Sequence, residues 1–229
     1  MLKIFALLVL TSTSVLARDY EAKYDLVWSQ GITLQAEATE TLKKVDDRYE
    51  MILHAEASVG FANEKTNLLF DPKQGWKPLN YSYTESILGR KKGNNFRFNW
   101  DKNTLVWLNE PEKQQTPIAA GTLDPLGFRL QLAYLLQQSK SLPKSITMLD
   151  STSIKARSVI TGELKDIITS LGTIEAQHFI FKEDNADPNH SFEFWLAPSL
   201  DYQLVKLEKK DNKRSFALTI KAYQTKVAP

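Results

Sequence analysis

Strict alternation of apolar and polar residues is the feature of this sequence that most limits its fold. In YEAKYDLVW (residues 20–28) every second side chain is apolar or aromatic, and ITLQAEATETL (32–42) and RYEMILHAEA (48–57) repeat the pattern. A period of two places these side chains on one face of an extended strand. The short turn sequences SQG and DD separate the three segments. Together they predict an antiparallel meander with one buried face and one hydrated face.

Later segments continue the β pattern. Residues 70–81 (FDPKQGWKPLNY) and 109–121 (NEPEKQQTPIAAG) are predicted loops because they contain several Pro and Gly residues. GRKKGNN is a predicted turn, and TGE is predicted to separate two strands, KARSVIT and LKDIITS. The remaining aromatic and β-branched segments are YSYTESIL, FRFNW, TLVWL, ITML, TIEAQHFIFK, SFEFWLA, YQLVKLEKK and SFALTIKAYQ. About a dozen short strands predict a mainly β fold, either one curved antiparallel sheet or an open barrel.

GTLDPLGFRLQLAYLLQQSK (121–140) is the one segment with a strong helical pattern. Asp124 is suited to cap a helix, Pro125 suits the first helical position, and residues 137–140 end it with polar side chains. The apolar arc is wider than that of an ordinary surface helix, which indicates deep burial. We therefore expect helix 124–139 to fill the hollow of the curved sheet. Whether a cavity remains beside it is open at this point.

The amino terminus predicts export. Lys3, the apolar run IFALLVL and a small-residue end at Ala17 are typical of a secretory signal peptide, so residues 1–17 are expected to be removed and 18–229 to form one domain. The sequence has no cysteine, which excludes disulfides, thiolate metal sites and a lipid-anchored lipoprotein. Without Lys3 the chain has 28 of its 29 basic residues and 27 acidic residues, and this balance argues against nucleic-acid binding.

No catalytic or metal-binding constellation is apparent. His54, His178 and His190 lie in separate segments without the spacing of metal ligands. Nucleophile-elbow, P-loop and dinucleotide-binding motifs are absent from the sequence. We therefore expect no catalytic residues, no metal and no cofactor, and a protein that is not an enzyme. A hydrolase acting on envelope polysaccharide is the least favoured reading, since it would need two suitably placed carboxylates.

Four segments carry a resemblance to a known family. YEAKYDLVWSQGITL, GTLDPLGFRLQLAYLL, GELKDIITSLGTIEAQHF and FEFWLAPSLDYQLVKLE resemble, in this order, a domain-of-unknown-function family of exported proteins of Gram-negative bacteria. The resemblance implies a periplasmic β-rich fold similar to the lipoprotein carriers of the Lol pathway and to β-spiral envelope-integrity proteins. In the carriers a curved sheet holds acyl chains in an apolar hollow. The resemblance implies no catalytic residues.

Two hypotheses about function follow. In the first, the protein binds an amphipathic or lipid-like component of the cell envelope, and an apolar hollow is lined by Tyr24, Trp28, Leu126, Leu130, Leu132 and Tyr134. In the second, the core is filled and the protein is an envelope-integrity scaffold that binds a protein or glycan through exposed loops. The expected contact residues are then Trp76, Arg90, Lys91, Lys92 and Arg97. The basic cluster alone is more typical of a solvated hairpin tip than of a contact site.

Overall fold

A computed structural model describes residues 18–109, 114–150, 153–183 and 190–226. The expected signal peptide, residues 1–17, lies outside the described residues. In the part described, fourteen strands form one antiparallel sheet. They are β1 (Tyr20–Gln30), β2 (Ile32–Val45), β3 (Arg48–Ala57), β4 (Gly60–Asp71), β5 (Gly75–Ile87), β6 (Arg90–Asn99), β7 (Thr104–Trp107), β8 (Gln115–Pro117), β9 (Ser145–Asp150), β10 (Ser153–Thr169), β11 (Gly172–Lys182), β12 (Ser191–Ala197), β13 (Gln203–Lys210) and β14 (Ser215–Thr225).

The strand order is a meander that opens in the middle of the sequence. β1 pairs with β14, so the first and last strands are neighbours at the centre of the sheet. The two edges are β8 and β9, which follow each other in sequence. The segment between them contains helix α1 (Gly127–Gln137). The predicted mainly β fold, one open curved sheet with one principal helix, is therefore confirmed for the described residues.

Several predicted boundaries are wrong, and bulges or tight turns explain them. The predicted loop 70–81 is mostly strand, because Pro78 sits where the register between β4 and β5 shifts and a bulge tolerates proline. The GRKKGNN turn is instead a tight turn at Leu88–Gly89, and residues 93–95 continue β6. KARSVIT and LKDIITS form the continuous strand β10, with a register shift between Thr161 and Leu164. Predicted loop 109–121 contains the short strand β8.

Helix α1 begins later than predicted, because Asp124 caps the turn that precedes it. The N–H groups of Leu126 and Gly127 both donate to Asp124 Oδ1 at 2.8 Å. The carboxyl is fully buried, and Oδ2 lies 2.6 Å from Thr66 Oγ1 on β4. Burial raises the pKa of Asp124, and these hydrogen bonds oppose the rise. No helix in the described ranges is long and apolar enough to cross a membrane.

The two ends of the barrel-like sheet differ in how they are closed. Since the strands are antiparallel, the turns after β1, β3, β5 and β13 lie at one end, here called the mouth. The turns after β2, β4 and β6 lie at the other end, called the base. The carboxyl-terminal half of α1 is fixed at the base, where Tyr134 Oη donates to Pro72 O at 2.7 Å and Gln137 Nε2 to Asp201 O at 2.8 Å. Packing therefore fills the base, and free space remains towards the mouth.

Candidate ligand cavity

A cavity of about 640 Å³ lies between the amino-terminal end of α1 and the mouth half of the sheet. Pro125, Leu126 and Phe128 form its helical side. The opposite wall is mainly apolar and includes Leu26, Trp28, Leu34, Leu53, Phe61 and Phe216. Drug-sized and cofactor-sized ligands bind in cavities of roughly 300–1,000 Å³ that are mostly apolar with a few polar groups. The size and lining of this cavity suit an amphipathic molecule.

Small side chains on neighbouring strands create the space. Ala38 of β2 is directly opposite Ala55 of β3, and Ala55 is opposite Ala62 of β4. All three line the cavity. At the centre of a sheet, inward positions usually carry large aliphatic or aromatic residues that fill the core. Three adjacent alanines leave space between this part of the sheet and Leu126 and Phe128, which line the cavity from the helix.

The apolar wall carries two carboxylates. Glu64 and Glu85 both line the cavity from the adjacent strands β4 and β5. Burial raises the pKa of Glu64, and a hydrogen bond with Tyr81 opposes the rise. Glu85 is paired with Lys92, whose Nζ lies 2.6 Å from Oε1. Glu85 is opposite Ala62 and Glu64 is opposite Tyr83, so these two carboxylates lie on adjacent strands of one wall.

Charged side chains of both signs surround the mouth of the cavity. The cations Lys92, Arg157, Lys209 and Arg214 line it together with the acids Glu56, Glu85, Asp150 and Asp211. Arg157 is buried and forms two ion pairs, because its Nη2 lies 2.5 Å from Asp150 Oδ2 and 2.7 Å from Glu183 Oε1. Lys209 and Arg214 are exposed on the β13–β14 hairpin, so an entering anionic group would meet them first.

A buried polar cluster anchors α1 to the centre of the sheet. Arg129 Nη2 lies 2.6 Å from Glu40 Oε2 on β2, and both side chains are almost fully buried. The other carboxylate oxygen, Oε1, accepts hydrogen bonds from Tyr20 Oη at 2.8 Å and from Gln203 Nε2 at 3.1 Å. Gln203 Nε2 also donates to Tyr24 Oη at 2.8 Å. The helix, β1, β2 and β13 therefore meet in one network.

Electrostatics within the cluster favour the charged arginine. Burial acts to lower the pKa of Arg129, but the adjacent Glu40 carboxylate outweighs it and raises that pKa. Burial, and then the Glu40 carboxylate, raise the pKa of Tyr20 and Tyr24 well above the ordinary tyrosine value. Both phenols are thus neutral donors or acceptors in the network. Arg129 also borders the cavity, so the cluster stabilises its inner end.

Comparison with known proteins identifies the family. The family described as Protein of unknown function (DUF3108) matches residues 19–221, which is nearly the whole of the range expected after export. The chain belongs to this family. The resemblance drawn from the four sequence segments is therefore confirmed at the level of a family of unknown function. A comparison with curated proteins finds no match.

Solved structures share the fold of this DUF3108 chain at low identity. A β-barrel-like protein of the domain of unknown function DUF1849 from Brucella abortus is 10% identical, with 92% of this chain and 98% of that chain covered and a TM-score of 0.59. A protein from Parabacteroides distasonis is 9% identical over 91% and 96% of the two chains, with a TM-score of 0.32, too low to support a structural argument. The first likeness shows the barrel-like fold alone.

Of the six residues predicted to bind a ligand, two line the cavity and four lie elsewhere in the core. Trp28 and Leu126 line the cavity. Leu130, Leu132 and Tyr134 are buried in the packed core, because α1 turns them away from the cavity and towards the base. Tyr24 is fully buried, and its hydroxyl is engaged by Leu204 O at 3.2 Å and by the polar cluster. The cavity lies closer to the mouth than the sequence indicated.

Of the five residues predicted to form a contact surface, one is buried and four are exposed. The prediction that Trp76 is an exposed contact residue is wrong. Its side chain is only 6% exposed and packs against Tyr49 and Phe70, with the ring centres 4.9 Å away in both cases. Arg90, Lys91, Lys92 and Arg97 are exposed. Alternation along β6 places Lys92 on the cavity side and Lys91 and Arg97 on the outer side. The basic cluster therefore belongs to two faces of one hairpin.

Sequence reasoning missed the alanine row and the Arg129–Glu40 pair. Ala38 and Ala55 were visible as small residues at inward strand positions, which is the signal that could have indicated a hollow. Arg129 interrupts the apolar arc of the helix, and Glu40 interrupts the inward row Ala36, Ala38 and Leu42 of β2, so each charge at an apolar position was a signal of a buried pair. Among the described residues no cluster of His, Cys, Asp and Glu is suited to hold a metal. His178 pairs with Glu193 at 2.8 Å and stacks on Trp195, outside the cavity lining.

Proposed function

We propose that this chain is a non-enzymatic protein of the periplasm that binds an amphipathic or lipid-like component of the cell envelope in the cavity beside α1. The signal-like sequence at residues 1–17 supports export. The observation that carries the proposal is the cavity of about 640 Å³, whose walls are mainly apolar and whose rim includes the exposed cations Lys209 and Arg214. An apolar chain would occupy the interior, and a polar or anionic group would remain near Lys209 and Arg214.

Apolar contact is expected to supply most of the affinity. Each methylene group transferred from water into the cavity contributes about 0.8 kcal/mol. A chain of eight to ten methylenes would therefore contribute about 6–8 kcal/mol before the loss of translational and conformational freedom is subtracted. The carboxylate of Glu64, whose pKa is raised by burial, can accept a hydrogen bond from a hydroxyl or amide of the ligand.

Filling the cavity tests this proposal. Ala55 lies in the middle of the alanine row, so Ala55→Phe places a ring in the space between β3 and α1. Ala217→Phe is the matched control, because Ala217 alternates with the cavity-lining Phe216 and Leu218 and points to the outer face of β14. We expect Ala55→Phe to lose bound ligand while remaining folded, and Ala217→Phe to retain it.

Two measurements read the result. Native mass spectrometry with organic extraction detects a ligand that is carried along when the protein is purified from the periplasm. Titration with N-phenyl-1-naphthylamine, an uncharged apolar dye, measures the accessible hollow without help from the cations of the rim. Wild-type protein of apo mass that also fails to bind the dye would overturn the proposal and favour the scaffold. Equal loss in both variants would also contradict it, because the outer face would then matter as much as the cavity.

A further inference from the structure

Two hairpins at the mouth of the barrel carry an excess of positive charge. At the mouth, residues 90–92 are all Lys or Arg, and four of the six residues 209–214 are Lys or Arg against the single acid Asp211. Both segments border the cavity. At the base, acids and bases of the turns are balanced, with Asp46, Asp47, Asp71, Asp101 and Asp201 against Lys43, Lys44, Arg48, Lys73 and Lys102. An anionic surface therefore attracts the two mouth hairpins more strongly than it attracts the base.

Exposed apolar residues accompany the cations at the mouth. Leu88 stands at the tip of the β5–β6 hairpin and is 71% exposed, and Ile32 follows the β1–β2 turn and is 56% exposed. Leu88 has a positive φ of 50°, which is unfavourable for this residue and favours Gly or Asn. A large apolar side chain is thus held in water at a position where a smaller polar one would fit better.

We propose that the mouth is a membrane-docking surface that lies against an anionic lipid bilayer, with Leu88 and Ile32 entering the interfacial region. The cations of residues 90–92 and 209–214 contact lipid phosphates. This inference rests on the proposed function and deepens it, since it names the surface from which the cargo enters the cavity. With the mouth against the bilayer, an amphipathic molecule passes from the membrane to the apolar wall without crossing water.

A bilayer suits this surface better than an acidic glycan or protein does. Cations alone would serve any polyanion, but Leu88 and Ile32 gain only from an apolar phase beside the anions, which a glycan lacks. The base also exposes apolar side chains, with Val45 52% and Ile168 85% exposed. Asp46, Asp47 and Asp166 lie beside them and offset much of the charge of Lys43, Lys44 and Lys165, so the base has a smaller excess of cations than the two mouth hairpins.

Vesicle sedimentation tests the inference. We expect the purified protein to bind vesicles of 70% phosphatidylcholine and 30% phosphatidylglycerol and not vesicles of phosphatidylcholine alone. Raising NaCl to 0.5 M should release it, because the Debye length falls from about 8 Å towards 4 Å. The double variant Lys91→Glu with Lys213→Glu reverses one exposed cation on each hairpin, and neither residue lines the cavity. Its partitioning to anionic vesicles should fall by about tenfold or more.

Two further variants separate charge from apolar insertion. Leu88→Asn removes the apolar tip and suits the positive φ, so we expect weaker vesicle binding in an undamaged hairpin. Lys73→Glu with Lys102→Glu makes the same charge change in exposed turns at the base and should leave binding unchanged. Equal weakening by the mouth and base pairs, or tighter binding of wild type to heparin than to the anionic vesicles, would overturn the docking surface.

Cargo binding is measured in parallel, so that failure of this inference and failure of the proposed function are distinguishable. Dye binding and extractable lipid without vesicle binding would refute the docking surface and leave the cavity function intact. Vesicle binding by a protein that is empty and does not take up the dye would refute the cavity function and leave the docking surface intact.

Discussion

Replacement of Arg129 by methionine should be among the most damaging single changes to this fold. Arg129→Met keeps the length and apolar stem of the side chain but removes the cation that lies 2.6 Å from Glu40. Glu40 Oε1 would retain the donors Tyr20 and Gln203, while Oε2 would lose its partner in a site that is 1% exposed. A buried charge without its counter-ion is strongly unfavourable, whereas a paired one is tolerated.

The magnitude follows from what the carboxylate keeps and loses. Breaking a buried ion pair by removing one partner costs about 3–5 kcal/mol. Because two donors remain on Oε1, we expect the lower part of this range, about 3 kcal/mol. This is a large fraction of the roughly 5–15 kcal/mol that stabilises a typical domain. With a urea dependence of about 2–3 kcal/mol per molar, the unfolding midpoint should fall by about 1–1.5 M.

Urea unfolding of a double-mutant cycle checks this reasoning. Glu40→Gln should also be destabilising, since it leaves Arg129 as an unpaired buried cation. The double variant Arg129→Met with Glu40→Gln contains no buried charge, and we expect it to be more stable than Arg129→Met alone. A loss below about 1 kcal/mol for Arg129→Met, or strict additivity in the cycle, would refute a desolvated ion pair, because coupling is the property that defines it.

The remaining predictions concern the cavity wall and the β3–β4 turn. Burial raises the folded-state pKa of Glu64 above its unfolded value, so its stabilising contribution is present below the unfolded pKa and is lost as pH rises through the folded pKa. The stability of Glu64→Gln relative to wild type, measured by urea unfolding, should therefore rise as the pH is raised, and a pH-independent difference would contradict this. Gly60→Ala should cost about 2 kcal/mol or more in thermal unfolding, because its Cβ would lie 1.8 Å from Ser86 O. Gly31→Ala, where a Cβ meets nothing within 4 Å, should cost less, and equal losses would point to backbone strain alone.

Local patterns explain which parts of the fold could be predicted. β1, β2 and β3 lie where period-two alternation placed them, and α1 lies within the predicted helical segment. Both patterns are properties of consecutive residues, so neighbouring side chains suffice to indicate them. The predictions that Trp76 lies in a loop and that β10 is two strands were wrong for the opposite reason. Bulges let Pro78 and Gly162 continue in a strand, and a bulge depends on the partner strand, which the local sequence does not contain.

The sequence by itself determined a β-rich chain with one buried helix, because hydrophobic periodicity is enough to assign elements and their inward faces. Only the tertiary structure decided that the helix leaves a cavity at one end. That outcome requires the register that sets Ala38, Ala55 and Ala62 opposite one another, and the topology that brings Arg129 to Glu40 across 89 positions of the chain. Side-chain size at one position is local, but the space left between facing elements is a sum over partners that only pairing brings together.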